Sequence, residues 1–511
     1  MMKKTIGMFC ITLICCLSVF APIQAAEETQ VLRVVAPWKA KGMNLAKSGF
    51  IYSRMGCVEM LTVADASGHI SGLLAESWQV AQDGLTWTFN LRPGITFHDH
   101  TFLTAEAAAH SLNIALASKG VLSKATVEKI TASGPLTLEI RTAKPFSALP
   151  AYVAHYSAGI ISSASFDEAG DIKTLYGTGQ YMLTDHEGGS LFRFQAYPGY
   201  WGEKPRIEKT EYHAVSKGET RGFMMKAGQA EMAFTLSPVD ARQLKQSSDI
   251  TVETLSIPRT RLMLLNCQLP FFSDIKVRQA ISLAIDRQGI AAALLRNPPS
   301  AATQLLPPTA AMWHDAALKG FLYDPKKAAA LLSQSGWKPG SDGILVKDGK
   351  QLSFDLMTYA ARPMLPPVAT AIQDQLRQVG IEMNIKVVES SLIPEKNIDG
   401  TLQAALVARN FGQIPDAVGT IYGDYGPHAG SWGAMGWQSP ELNRMLSEYL
   451  ATFDPGRSQT LRKEILGLLQ QELPVIPITW YEHIVAYSNS IEGVNIDPFE
   501  IQSYVKGVRW K

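Results

Sequence analysis

The chain of 511 residues is 46% hydrophobic and only 18% charged, too long for one ordinary core and too apolar for disorder. Lys+Arg 47 against Asp+Glu 46 leaves a formal charge of +1, which excludes a broad basic face for nucleic acid. Five Cys are too few for a disulfide-built scaffold of this size.

The first element is a leader. Lys3 and Lys4 precede an apolar stretch over residues 6–23, and the small residues Ala25 and Ala26 come just before Glu27. A positive start, an apolar middle and a small-residue exit are the layout of a secretory signal peptide, expected here over residues 1–25. A membrane anchor is the competing reading, against which Pro22 and the Ala exit favour cleavage. Cys10, Cys15 and Cys16 would leave with the leader. Cys57 and Cys267 then remain, either as a disulfide or as two buried thiols. No later apolar run is long enough to span a bilayer, so a soluble, periplasmic mature chain is expected.

Residues 31–36 read as a buried strand, and 55–63 as an apolar element leading to a turn at 65–68. Residues 78–80 and 85–91 form a hairpin about Asp83-Gly84. Thr104 caps an Ala-rich helix over 105–116, and 136–141 is a short strand. Beyond Asp274 the pattern predicts a helix over 277–293 and another opened by Asp324-Pro325 and ending near Gly336. A strand at 352–357, a helix at 366–379 closed by Gly380 and a strand at 381–388 make a β-α-β unit. Helices at 442–450 and 457–473 and a strand at 475–479 complete an α/β chain without linkers or repeats.

Catalytic signatures are missing. Ala429-Gly430-Ser431-Trp432-Gly433 lacks the first Gly and the leading strand of a nucleophile elbow, so a secreted hydrolase using Ser431 is a weak alternative. Gly177-Thr178-Gly179 lacks the Lys of a phosphate loop and reads as a tight turn. His98-Asp99-His100 reads as a solvated turn before the Thr104 helix rather than a metal clip. No enzyme is expected.

The run from Gly72 to Trp78, followed by Asp83-Gly84-Leu85-Thr86-Trp87-Thr88-Phe89-Asn90-Leu91-Arg92, resembles the opening of the family 5 extracytoplasmic solute-binding proteins of ABC importers. In order after it come Gly177 to Tyr181, Tyr200-Trp201-Gly202, Gly228 to Ala233, Leu265-Asn266, Pro270-Phe271, Asp274 to Ala280, Ala284 to Arg287, Tyr323-Asp324-Pro325 and Gly336-Trp337. The resemblance implies an α/β, two-lobed clamp with an enlarged, discontinuous first lobe. That lobe would comprise residues 26–265 and 482–511, with a second lobe over 266–481. It also implies an inner-membrane permease and ATPase as partners, and a monomeric receptor closing on its ligand.

Two ligand classes are open, a nickel chelate and a dipeptide or oligopeptide. Peptide-binding members carry an acid on a loop matching residues 409–416, whereas here Arg409 opens that loop and Gln413 stands near the acid's place. A guanidinium recognises carboxylates, not ammonium groups. The resemblance is closer to the periplasmic nickel-binding proteins, which implies nickel wrapped in histidine or a carboxylate metallophore. It makes His428, twelve residues after Asp416 on a Gly-rich loop, a candidate metal ligand. His483, expected at the hinge crossing, is the second. Arg409 and Arg362 are the candidate carboxylate clamps, and Tyr481, Trp432 and Trp38 the candidate pocket walls. The lobe-I arginines of some nickel-binding members are missing around 152–160, where His155 lies instead.

Overall fold

Two unusually long strands organise the computed structural model, which describes residues 30–118 and 120–511. Ile250–Leu265 and Val475–Ser488 pair antiparallel, from Ile250 opposite Ser488 to Leu264 opposite Val475. Each is more than twice the ordinary strand length of about 5–6 residues. The ladder breaks between Ser256 and Thr260, where Pro258 has no N–H to donate. Its carbonyl instead accepts from Phe411 N–H at 2.7 Å.

These strands are the middle of a ten-stranded sheet. On one side follow Ala404–Asn410, Ser353–Thr358 and Glu382–Val387; on the other follow Met232–Phe234, Val31–Ala36, Lys209–Ala214, Leu191–Ala196 and Tyr181–Glu187. A separate four-stranded sheet of Ala75–Val80, Thr86–Leu91, Thr137–Thr142 and Val127–Gly134 enlarges the N-terminal half, with helix Ala105–Ala117 beside it. The predicted boundary at 265/266 falls at the end of the first long strand, and that at 481/482 falls inside the second.

Most predicted elements are present. The hairpin turns at Gly84 with φ +69°, and the Thr104 hydroxyl accepts from Ala107 N–H at 3.1 Å. Strands Ser353–Thr358 and Glu382–Val387 are parallel, joined by helix Leu365–Arg377, as the β-α-β reading requires. Three expectations need correction. Helix Leu45–Arg54 went unpredicted, because Gly49 and Ser53 hide its apolar stripe, and the apolar residues 55–63 that follow are mostly buried loop. The helix over 277–293 ends at Ala284, where Ile285 turns extended and Asp286 caps a new turn by accepting from Gly289 N–H at 2.8 Å. The strand at 475–479 continues through Ser488. Cys57 and Cys267 are both free and buried.

His98 is likewise buried rather than solvated. Its Nδ1 accepts from Gly177 N–H at 3.2 Å, so Nε2–H donates to Gly179 O at 2.9 Å. That clamp holds the Gly177-Thr178-Gly179 turn flat against Gly56 and Cys57. A Cβ on Gly179 would enter the Gly56 carbonyl. Gly179→Ala is therefore expected to cost about 2 kcal/mol, as overpacking does, measured by urea titration. An unchanged midpoint would show that the turn yields.

The predicted leader lies outside the described residues. Among those residues, no helix is long and apolar enough to cross a membrane.

Candidate functional site

On the first long strand Arg259 and Arg261 are two residues apart and share one face of the sheet. Tyr481 on the partner strand meets both: the guanidinium carbons lie 5.1 and 4.3 Å from its ring centroid. Arg362, in the loop between strand Ser353–Thr358 and helix Leu365–Arg377, stacks on the same ring at 5.1 Å. Three cations therefore share one aromatic wall.

Arg362 also reaches across the sheet. Its Nη1 donates to Tyr481 Oη at 3.1 Å and to Thr235 Oγ1 at 3.4 Å, and its head lies 4.9 Å from the Trp38 ring. Trp38 follows strand Val31–Ala36 and Thr235 follows strand Met232–Phe234, both across the long strand pair from strand Ser353–Thr358, so the contact bridges the two flanks of that pair. Tyr481 is buried, and burial raises its phenol pKa, but Arg362, Arg261 and Arg259 outweigh that and bring it below the ordinary value. Burial lowers the pKa of Arg261 to about 10.

One carboxylate answers this charge. Glu500, held at φ +58°, pairs with Arg259, accepts from Asn410 Nδ2 at 3.1 Å and lies 3.8 Å from Arg54 Nη2. Burial would push its carboxyl up; Arg259, His483, Arg54 and Arg362 overcome this and hold it well below the usual carboxylate range.

His483 sits inside the same network, 1% exposed. Its Nε2 lies 3.3 Å from Thr235 Oγ1, and its Nδ1, which has no hydrogen-bond partner, is 3.9 Å from Glu500. Burial drives its pKa down to about 3; Glu500 opposes this, and Arg259, Arg362 and Arg54 add to it. The imidazole is neutral, as a metal ligand must be.

Of the residues singled out from sequence, the structure brings Arg362, Tyr481, Trp38 and His483 together. The others lie elsewhere. Arg409 is paired with Thr260 in the ladder, which turns it to the face opposite Arg259 and Arg261. There its Nε and Nη2 donate to Asp424 at 2.5 and 2.8 Å, so this guanidinium is already engaged by a carboxylate. His428 is exposed on the turn after helix Val418–Tyr425, and none of the cluster's hydrogen bonds, ion pairs or ring contacts involves it. Trp432 is half-buried against the main hydrophobic core. Among the described residues no group of three His, Cys, Asp or Glu side chains is placed to hold a metal ion.

Sequence reasoning missed Arg259, Arg261 and Glu500. An Arg-Thr-Arg alternation running into the apolar Leu262–Leu265 segment was the available signal for the first two, since charge on a buried strand needs a purpose. Nothing local marks Glu500, whose ion-pair partners Arg54 and Arg259 are hundreds of residues away.

Residues 69–432 match the model of the bacterial extracellular solute-binding proteins, family 5. The chain is 26% identical over 449 residues to the glutathione-binding protein GsiB of Escherichia coli (strain K12), covering 85% of each. Its fold is similar to that of NikA from Staphylococcus aureus in complex with Ni(L-His)2, at TM-score 0.81 and 20% identity, covering 93% of this chain and 99% of that one. It is equally similar to the oligopeptide-binding protein AppA from Bacillus subtilis with a nonapeptide, at TM-score 0.83 and 20% identity, covering 94% and 99%. The two-lobed clamp expected from sequence is thus the fold of this chain. It belongs to the family 5 bacterial extracellular solute-binding proteins, receptors that serve an ABC permease and ATPase and are not enzymes.

Proposed function

We propose that this receptor is periplasmic, is released from its leader after Ala25, works as a monomer and captures nickel already wrapped in a small carboxylate chelator such as histidine or a metallophore. The observation that carries this reading is the buried arginine cluster around Tyr481, which suits carboxylates. A bare ion would find one neutral imidazole there, His483, and nickel needs several N or O donors, so the chelator must bring them. The likeness to a nickel–histidine binder supports the same cargo. In this reading residues 26–265 with 482–511 form one lobe and 266–481 the other. They swing about the broken ladder at Ser256/Thr260, and the ligand supplies the differential affinity that closes them. Arg362 holds the chelator's carboxylate and His483 is the closer metal ligand. Arg409 and His428 contribute only if closure on ligand frees the first from Asp424 and swings the second inward.

The test is elemental and small-molecule mass analysis of the protein purified from the periplasm. Nickel with a stoichiometric carboxylate chelator is the expected result, and removal of nickel by EDTA should reopen the clamp in small-angle scattering. A metal-free protein carrying a peptide would overturn the nickel assignment.

Peptide is the second reading. It is favoured by the relative named as a glutathione-binding protein. It predicts closure on a peptide with EDTA present.

A further inference from the structure

The charge of the cluster does not balance. Arg54, Arg259, Arg261 and Arg362 are 5%, 2%, 5% and 4% exposed, and Glu500 is the only carboxylate in ion-pair contact with any of them among the described residues. Arg261 and Arg362 have no carboxylate within ion-pair distance in that set; Glu482 acts on Arg261, and Glu500 on Arg362, only from farther away. Arg259 Nε and Nη1, Arg261 Nε and Arg362 Nε have no hydrogen-bond partner. Buried guanidinium donors left unpaired are strongly unfavourable, and a fold that gains nothing from them would replace them with apolar side chains. By contrast Arg221 and Arg287, equally buried, spend their donors on backbone carbonyls and are structural: Arg221 reaches Phe234 O, Val215 O and Thr235 O, and Arg287 reaches Pro477 O and Ser282 O.

Geometry also sets how many anionic groups fit. Arg261 Nη1 donates to Trp480 O at 3.0 Å and Thr479 Oγ1 at 3.3 Å, which fixes the head beside Tyr481 and leaves Nε unspent. Arg362 comes from the loop after strand Ser353–Thr358, two strands away from the one that carries Arg259 and Arg261, so the orphan donors converge on Tyr481 from two directions. One carboxylate offers about four acceptor sites, but all in one place, whereas the four orphan donor atoms lie on three separate guanidinium groups. The cavity adjoining Arg261 and Tyr481, lined also by Leu236, Pro363, Met364 and Glu482, holds only ≈ 20 Å³, so a ligand enters only when the surrounding side chains part.

We propose that Arg259, Arg261 and Arg362 form a recognition site for a ligand bearing two or more carboxylates, and that the receptor selects its cargo by that charge. This rests on the receptor reading above and holds whether the ligand is a metal chelate or an acidic peptide.

The experiment is calorimetric titration of the mature chain with citrate, nickel–citrate, nickel–histidine, reduced glutathione and dialanine, repeated for Arg261→Gln and Arg261→Lys. At least one multi-carboxylate probe should bind tenfold or more tightly than dialanine, and more weakly as salt is raised. Arg261→Gln should lose at least tenfold of that affinity and Arg261→Lys less. The ligand-free melting temperature of Arg261→Gln should not fall, since the variant removes an unpaired charge; a purely structural arginine would show the opposite. Dialanine binding as tightly as the multi-carboxylate probes, or an Arg261→Gln variant that binds like the wild type, sinks this inference and leaves the receptor reading standing. Silence from every probe sinks both.

Discussion

Conformational stability is expected to fall steeply as pH drops from about 7 to about 5, well before ordinary carboxylates titrate. The cause is three buried neutral histidines. Burial, the largest cause in each, lowers His98 to about 4, His155 to about 3 and His483 to about 3. In the unfolded chain each returns to about 6.5. Below that value the unfolded state binds protons that the folded state refuses, so acid favours unfolding. The loss begins as pH falls through about 6.5 and ends near the folded values, below about 4. With all three contributing, the slope approaches about 4 kcal/mol per pH unit, against a total stability of about 5–15 kcal/mol. Urea midpoints measured at a series of pH values test it. His483→Gln should reduce the slope by close to one proton, and a profile flat between neutrality and about pH 5 would show that these imidazoles are protonated in place.

Glu500→Gln should be the most damaging single substitution in the network, at about 3–5 kcal/mol. It leaves Arg259 and Arg54 buried without their common carboxylate. The depressed carboxyl pKa points the same way: Glu500 stabilises the fold above the unfolded Glu value of about 4.3, and that contribution is lost as acid protonates it. The double variant Glu500→Gln with Arg259→Met should recover part of the loss, because the orphaned charge goes with its partner. Thermal unfolding of the two variants decides it. Equal stability of Glu500→Gln and the wild type would mean that solvent reaches the cluster and screens it.

By itself the sequence determined the elements whose signals are local. The Thr104 cap, the Asp83-Gly84 hairpin and the β-α-β unit ending at Val387 each depend on a few neighbouring residues, and each formed as read. The family resemblance, carried by motifs in fixed order, added the clamp architecture that no local pattern contains. Tertiary structure alone decided the site. Register placed Arg259 and Arg261 on one face of the sheet and Arg409 on the other, a distinction that turns on single residues of strand pairing and that composition does not encode. Glu500 meets Arg54 and Arg259 because the C-terminal segment folds back beside the long strands, and Arg362 meets Trp38 and Thr235 because loops from the two flanks of the long strand pair converge there. Electrostatic pairing acts over a few ångströms, so only the folded chain assigns it, whatever the separation in sequence.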